Sequence, residues 1–233
     1  MTDVFAITEA ALRANLAKVD SISQNVANVR TQGYKREVYV ESPFDLQLQN
    51  VQQTLGKLGE RTFDLSHGTL QKTGSPLHFA IEGDGWFQLQ SPHGTLLTRD
   101  GSFQLDAQGR IVSSQGWPVM LDAEARFTGA APTLEKNGEL WSDGARAARL
   151  SLASADRATL QIAGANLFRS SSAAPLEAGA AHVRQGFLEG SNVDTLSEMV
   201  QLMQTMRQSE AAQRATHAYD EALEMAISTL GEF

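Results

Sequence analysis

The 233 residues contain no cysteine. That excludes disulfides, thiol nucleophiles and cysteine-held metal, and it leaves the redox compartment open. No run of about 18 apolar residues occurs, so no membrane-spanning helix is expected. The opening MTDVFAITEA has neither a basic n-region nor a continuous apolar core, so no cleavable secretory signal is expected. Positive charge is in short supply. Against 27 acidic residues stand 19 Lys and Arg, a formal net charge of −8. That balance argues against nucleic acid as a partner, because phosphate binding needs a basic face. Glycine and proline are missing from both ends: residues 1–32 have neither, and nor do Ser191 to Leu230. All six prolines and 17 of the 19 glycines lie between Pro43 and Gly190, the other two being Gly33 and Gly231.

Helical periodicity occupies the two ends. Met199, Leu202, Met206, Ala212, Ala215, Tyr219, Leu223, Ala226 and Leu230 recur at helical spacing. Thr195 with Glu198 three residues on has the pattern of a capping box, and Gly231 marks the far end. A helix over 195–230 would be roughly 54 Å long at about 1.5 Å per residue, too long for a small domain to cover alone. The N-terminal stretch offers a partner. Phe5, Leu12, Val19 and Val26 fall seven apart, and Leu16, Ile22 and Val29 fill the same face, a heptad-like seam. Charge favours the pairing: residues 13–36 carry a net +4, and residues from Ser191 onward carry a net −5. The first helix is expected to stop near Thr31 and Gln32, with Arg30 in its last turn and Gly33 as the C′ residue. Gln24, Asn25 and Asn28 set amides beside the apolar seam, where they can fix register or simply mark a solvated helix end.

The middle changes period. Residues 36–75 read as a surface connector with strand fragments: Val38 and Val40 alternate with Glu37 and Tyr39, then Pro43, a glutamine-rich run, Gly56 and Gly59 follow. From Gly74 the period is two. Leu77, Phe79 and Ile81, then Phe87 and Leu89, Phe103 and Leu105, and Ile111 form short apolar sets. Turn signals at 83–85, 92–94, 100–101, 108–109 and 115–116 separate them, with Gly83-Asp84-Gly85 read as a hairpin turn. Leu150 with Leu152 and Leu160 with Ile162 suggest two more strands. The fold class expected is α+β: long N- and C-terminal helices pairing as a coiled coil, with an inserted, mainly-β domain of short antiparallel strands. The expected divisions are 1–32 with 191–233 for the helical part, 33–75 for the connector and 76–190 for the β domain.

Motifs for catalysis are not found. His67, His78, His93, His182 and His217 show no HExxH or other compact ligand spacing, and no GxxxxGK[ST] or GxSxG occurs. Met199, Met203 and Met206 read as helix packing, and Trp86, Trp117 and Trp141 as fillers of the β core or of subunit contacts. No enzyme activity, cofactor or metal is expected.

Two strings carry a family resemblance. SISQNVANVRTQGYK contains Asn25, Val26, Ala27, Asn28, Thr31, Gly33, Tyr34 and Lys35 in the arrangement Asn-x-Ala-Asn, gap, Thr-x-Gly-aromatic-Lys. It resembles the N-terminal signature of bacterial flagellar rod and hook proteins, with Gln24 and Arg30 as departures. In the middle, Gly68, Leu70, Thr73, Gly74, Leu77, Ala80, Ile81, Gly83, Gly85, Trp86, Phe87, Thr98, Arg99, Gly101, Phe103 and Gly109 fit that family's conserved block, with His78 and Leu97 departing from it. GANLF and GFLEGSNVD, ending in Ser191, Asn192 and Val193, also have counterparts. The resemblance implies a non-enzymatic structural subunit of the basal-body rod, most like its proximal-rod branch. It further implies a helical tube that transmits motor torque and export through the flagellum-specific secretion channel. Partners implied are other rod subunits, copies of itself and the export apparatus, and location in the periplasm-spanning rod. A distal-rod paralogue stays open, as does a soluble adaptor that grips a partner with its helical ends.

Overall fold

A computed structural model describes residues 2–41, 59–127, 131–142, 144–164, 166–176 and 181–231. Two helices bracket the chain, α1 (Thr2–Ala27) and α2 (Thr195–Gly231). Between them run short strands: β1 (Glu37–Glu41), β2 (Gly59–Phe63), β3 (Leu70–Lys72), β4 (Phe79–Glu82), β5 (Trp86–Ser91), β6 (Gly94–Thr98), β7 (Gln104–Leu105), β8 (Ile111–Val112) and β9 (Thr133–Leu134). The series continues with β10 (Glu139–Ser142), β11 (Ala145–Arg149), β12 (Leu152–Ser154), β13 (Leu160–Gly164), β14 (Leu167–Ser170), β15 (Ala174–Pro175), β16 (His182–Gln185) and β17 (Phe187–Glu189). The strand pairings recorded among these are antiparallel, so the α+β class and the short antiparallel strands are as the periodicities indicate.

The chain divides into two compact units, each discontinuous in sequence. One is built from Met1–Ala27, Glu37–Asp64 and Asp194–Phe233, the other from Asn28–Arg36 and Leu65–Val193. This division differs from 1–32, 33–75 and 76–190. The β1–β2 hairpin, in register Glu37↔Phe63 to Glu41↔Gly59, belongs with the helices. Gly59 is part of a strand, not a loop. Pro43, the glutamine-rich run and Gly56 lie outside the described residues. Asn28–Arg36, by contrast, belongs with the β unit.

In the helical unit α1 and α2 lie against one another. Helix α1 stops at Ala27, earlier than the absence of glycine and proline suggests. Asn28 and Thr31 divert the backbone: the Thr31 N–H donates to the Asn28 carbonyl at 3.0 Å, and Thr31 Oγ1 donates to Asn28 Oδ1 at 3.0 Å. Asn and Thr side chains compete in this way with helical hydrogen bonds. Arg30 therefore lies beyond the helix. At α2 the cap is Asp194 rather than Thr195. Its carboxylate accepts from the Leu196 and Ser197 N–H groups, both at 3.3 Å.

The β unit is centred on a six-stranded sheet in the order β13-β14-β6-β5-β12-β15. Pro92 and His93 make the two-residue loop between β5 and β6, whose ends pair Ser91 with Gly94. Residues 83–85 do not form a hairpin, because β4 pairs with β16 while β5 pairs with β6 and β12. The chain changes sheets there. Phe79, Phe87 and Phe103, all buried, form the centre of the core. Phe87 meets Phe103 edge-on at 5.1 Å between ring centroids, and Phe79 meets it tilted at 5.8 Å. Ala80 is buried beside Phe79 and Ile81, so β4 is covered on both faces and does not follow a simple alternation. Trp86 is buried against Phe168, and Trp117 is part-buried against the core.

Candidate assembly site

The signature residues are divided between two buried networks, one in each unit. In the helical unit Asn25, near the end of α1, presents its amide to the start of β1. Asn25 Nδ2 donates to the Glu37 carbonyl and the Glu37 N–H donates to Asn25 Oδ1, each at 2.8 Å. One side chain thus satisfies both backbone groups of Glu37, as a neighbouring strand would. Asn25 Nδ2 also reaches Glu198 Oε2 of α2 at 3.2 Å. Glu198 is fully buried. The Glu37 carboxylate accepts from Ser21 Oγ at 2.6 Å and pairs with Arg61 of β2 at 3.3 Å.

In the β unit the centre is Glu189 of β17. Its carboxylate accepts from Lys35 Nζ at 2.7 Å, from Arg99 Nη1 at 3.2 Å and from the Gly68 N–H at 3.1 Å. Its carbonyl accepts from the Gly33 N–H at 2.8 Å. Two cations face one carboxylate, and backbone oxygens make up the difference. Lys35 Nζ donates to the Ser66 carbonyl at 2.8 Å, and Arg99 Nη2 to that of Gly83 at 2.9 Å. Lys35, Arg99 and Glu189 are each at most 3% exposed. Burial pushes the Arg99 guanidinium below its ordinary value, while Glu189 works the other way. The Arg99 Nε is buried without a hydrogen-bond partner among the described residues, and the guanidinium lies 5.5 Å from the centre of the Trp86 ring. Gly33 has φ +66°, and a Cβ there would stand 2.3 Å from the Asp100 nitrogen. Only glycine fits so close a backbone approach. Asn192 Oδ1 accepts from the Arg36 N–H at 2.7 Å, and its Nδ2 donates to the Ser66 carbonyl at 3.1 Å.

Of the signature residues, Asn25, Gly33, Tyr34, Lys35 and Val193 are buried; Asn28, Thr31, Ser191 and Asn192 are half-buried; Ala27 is exposed. Within the single chain these residues brace its own backbone.

The helix seam departs from its apolar outline. On α1, Leu12, Val19 and Val26 are half-buried and Ile22 is buried, but Leu16 is 60% exposed and the neighbouring Asn15 is buried instead. The side chain of Phe5 lies outside the described set. On α2 the covered positions include Glu198, Leu202, Thr205, Ser209, Ala212, Thr216 and Tyr219, spaced alternately four and three apart. Apart from Leu202 and Tyr219 these are polar or small. Met199 and Met206 face out, and so do Leu196, Val200 and Met203, all 45% or more exposed. The side chains of Leu223 and Leu230 lie outside the described set. Met203 also departs from the packing role its spacing suggests. An apolar stripe one face wide therefore runs uncovered along the first three turns of α2.

Sequence reasoning passed over Glu37, Glu189 and Glu198 as network centres. The signal available was a set of charged residues inside short apolar strings, such as Glu189 in GFLEG. No group of His, Asp and Glu suited to hold a metal occurs among the described residues, and no helix there is long and apolar enough to cross a membrane.

Charged groups spent on bracing the chain, together with apolar side chains set outward along a helix, define a building-block protein whose chemistry is packing. Comparison with known proteins agrees. Residues 80–140 match the flagellar hook protein FlgE/F/G D1 domain, and residues 184–229 match the flagellar basal body rod FlgEFG protein C-terminal family. The flagellar basal-body rod protein FlgF of Rhizobium meliloti is 32% identical over 225 residues, covering 92% of each chain. FlgF of Mesorhizobium japonicum is 30% identical over 241, covering 99% of each. FlgG of Buchnera aphidicola subsp. Acyrthosiphon pisum is 29% identical over 251, covering 94% of this chain and 96% of its own. The chain belongs to the flagellar basal-body rod protein family.

Proposed function

We propose that this protein is a structural, non-enzymatic subunit of the flagellar basal-body rod, most like the proximal rod, that assembles with other rod subunits and copies of itself. The observation that carries this reading is the exposed stripe Leu196, Met199, Val200, Met203 and Met206, left uncovered by the described residues. Covering one such side chain contributes about 1.5–3 kcal/mol, against a rotamer cost of up to about 2 kcal/mol. A single contact is nearly neutral, so the stripe stabilises only when several neighbours cover it at once. In the assembled tube the terminal helices pair lengthwise as a coiled coil. Asn25 braces α1 against β1 and α2 within the helical unit, while Gly33 and Lys35 brace the β unit around Glu189. Contacts of this head-to-tail kind that do not close into a ring generate a helical tube, which suits a shaft that transmits torque. Rod membership draws support from relatives named FlgF that align over 92% and 99% of their length. Delivery would run through the flagellar export apparatus to the periplasm-spanning rod.

The test is the composition of purified hook–basal bodies, with the position of this chain resolved by imaging. A few copies at the inner end of the rod are expected. Many copies further out would make it a distal-rod subunit, and its absence from intact basal bodies would overturn the reading.

A further inference from the structure

We infer that Met199, Met203 and Met206 form an oxidation site on α2, through which peroxide-class oxidants prevent the unassembled chain from associating. The inference rests on the rod-subunit reading for its consequence and on geometry for its chemistry. With cysteine absent, the chain's sulfur is confined to six methionines. Three of them sit four and three residues apart on one helical face, at 45%, 57% and 54% exposure. Met120 offers a contrast inside the same molecule. It is half-buried, and its sulfur accepts from Thr95 Oγ1 at 3.9 Å.

In the reaction the thioether sulfur attacks one oxygen of hydrogen peroxide. An S–O bond forms as the O–O bond breaks. Sulfur loses two electrons, the departing oxygen takes them with a proton, and water leaves. Each product sulfoxide is a polar, strongly accepting group where the stripe had a pliable apolar one. Three in adjacent turns convert most of the stripe into a surface that must be desolvated before it can be covered. The change is reversible by methionine sulfoxide reductases, so it acts as a hold on free chains rather than as destruction. Once covered by neighbours, the same sulfurs are out of reach.

The experiment treats the full-length chain with hydrogen peroxide, follows each methionine by peptide mass spectrometry, and measures association by sedimentation velocity. Met199, Met203 and Met206 are expected to oxidise about tenfold faster than Met120, as exposure governs the rate. Association should be lost on oxidation and regained on reduction. Equal rates at Met120 would overturn the site. Undiminished association of the oxidised chain would overturn its consequence. If the untreated chain associates neither with itself nor with other rod subunits, the rod reading and this consequence both fall, while the relative rates still decide whether the site exists.

Discussion

Glu189 shows how much a single side chain is asked to do. Two buried cations and one backbone N–H depend on its carboxylate. Removing one partner of a buried ion pair leaves the others uncompensated in low dielectric, which costs about 3–5 kcal/mol. Glu189→Gln is therefore expected to lower unfolding free energy by that amount in urea titration, and a loss under about 1 kcal/mol would contradict the account. Gly33 allows a cleaner comparison. Gly33 and Gly74 both have positive φ, +66° and +76°, but a Cβ at Gly74 would meet nothing within 4 Å. Gly74→Ala should cost about 1–2 kcal/mol for conformation alone, and Gly33→Ala clearly more. Equal losses would mean that the Arg99–Asp100 backbone yields freely. The signature residues could be picked out in the sequence by their string, but their partners could not. Lys35 and Glu189 are 154 residues apart, and Asn25 and Glu198 are 173 apart, distances over which no periodicity connects them.

At the scale of elements, periodicity found both helices and most of the face that α1 covers, but it misplaced part of the covered face of α2. Apolar spacing marked Met199 and Met206 as seam. In the fold the seam is Glu198, Thr205, Ser209 and Ala212, and the methionines face out. An isolated domain covers its apolar stripe, so the usual rule selects the wrong face in a chain with surfaces left over for neighbours. A paired substitution separates the two faces. Leu202→Ser should destabilise the single chain by about 2 kcal/mol or more, because Leu202 is half-buried. Met203→Ser should leave stability within about 0.5 kcal/mol and weaken association instead. Thermal melts and sedimentation of both variants decide it; the reverse pattern would place the contact surface elsewhere. The strands were legible where they alternate strictly, as at Phe87 and Leu89 in β5. Phe79 and Ile81 marked β4 in the same way, with only the burial of Ala80 between them unread, while alanines hid β11 (ARAAR).

For the molecule as a whole, the N-terminal signature is shared between two compact units, and the sequence string gives no hint of the break after Ala27. Residues 28–193 should behave as an independently folding piece, because they include Gly33 and Lys35 with the whole Glu189 network. Starting the piece at residue 37 should cost at least about 3 kcal/mol, since Glu189 then loses one buried cation and its bond to the Gly33 N–H. Comparing the two fragments by denaturant unfolding with circular dichroism checks this, and equal midpoints would contradict it. Neither unit is a continuous piece of chain, and the backbone passes between them after residues 27, 36, 64 and 193. A polypeptide delivered from its N-terminus gathers parts of both units for most of its length and can finish neither. The β unit must wait for Glu189, and the helical unit for Glu198. Order of arrival thus becomes a timer: the stripe that would adhere to neighbours belongs to a segment that follows β1, β2 and Glu189 along the chain.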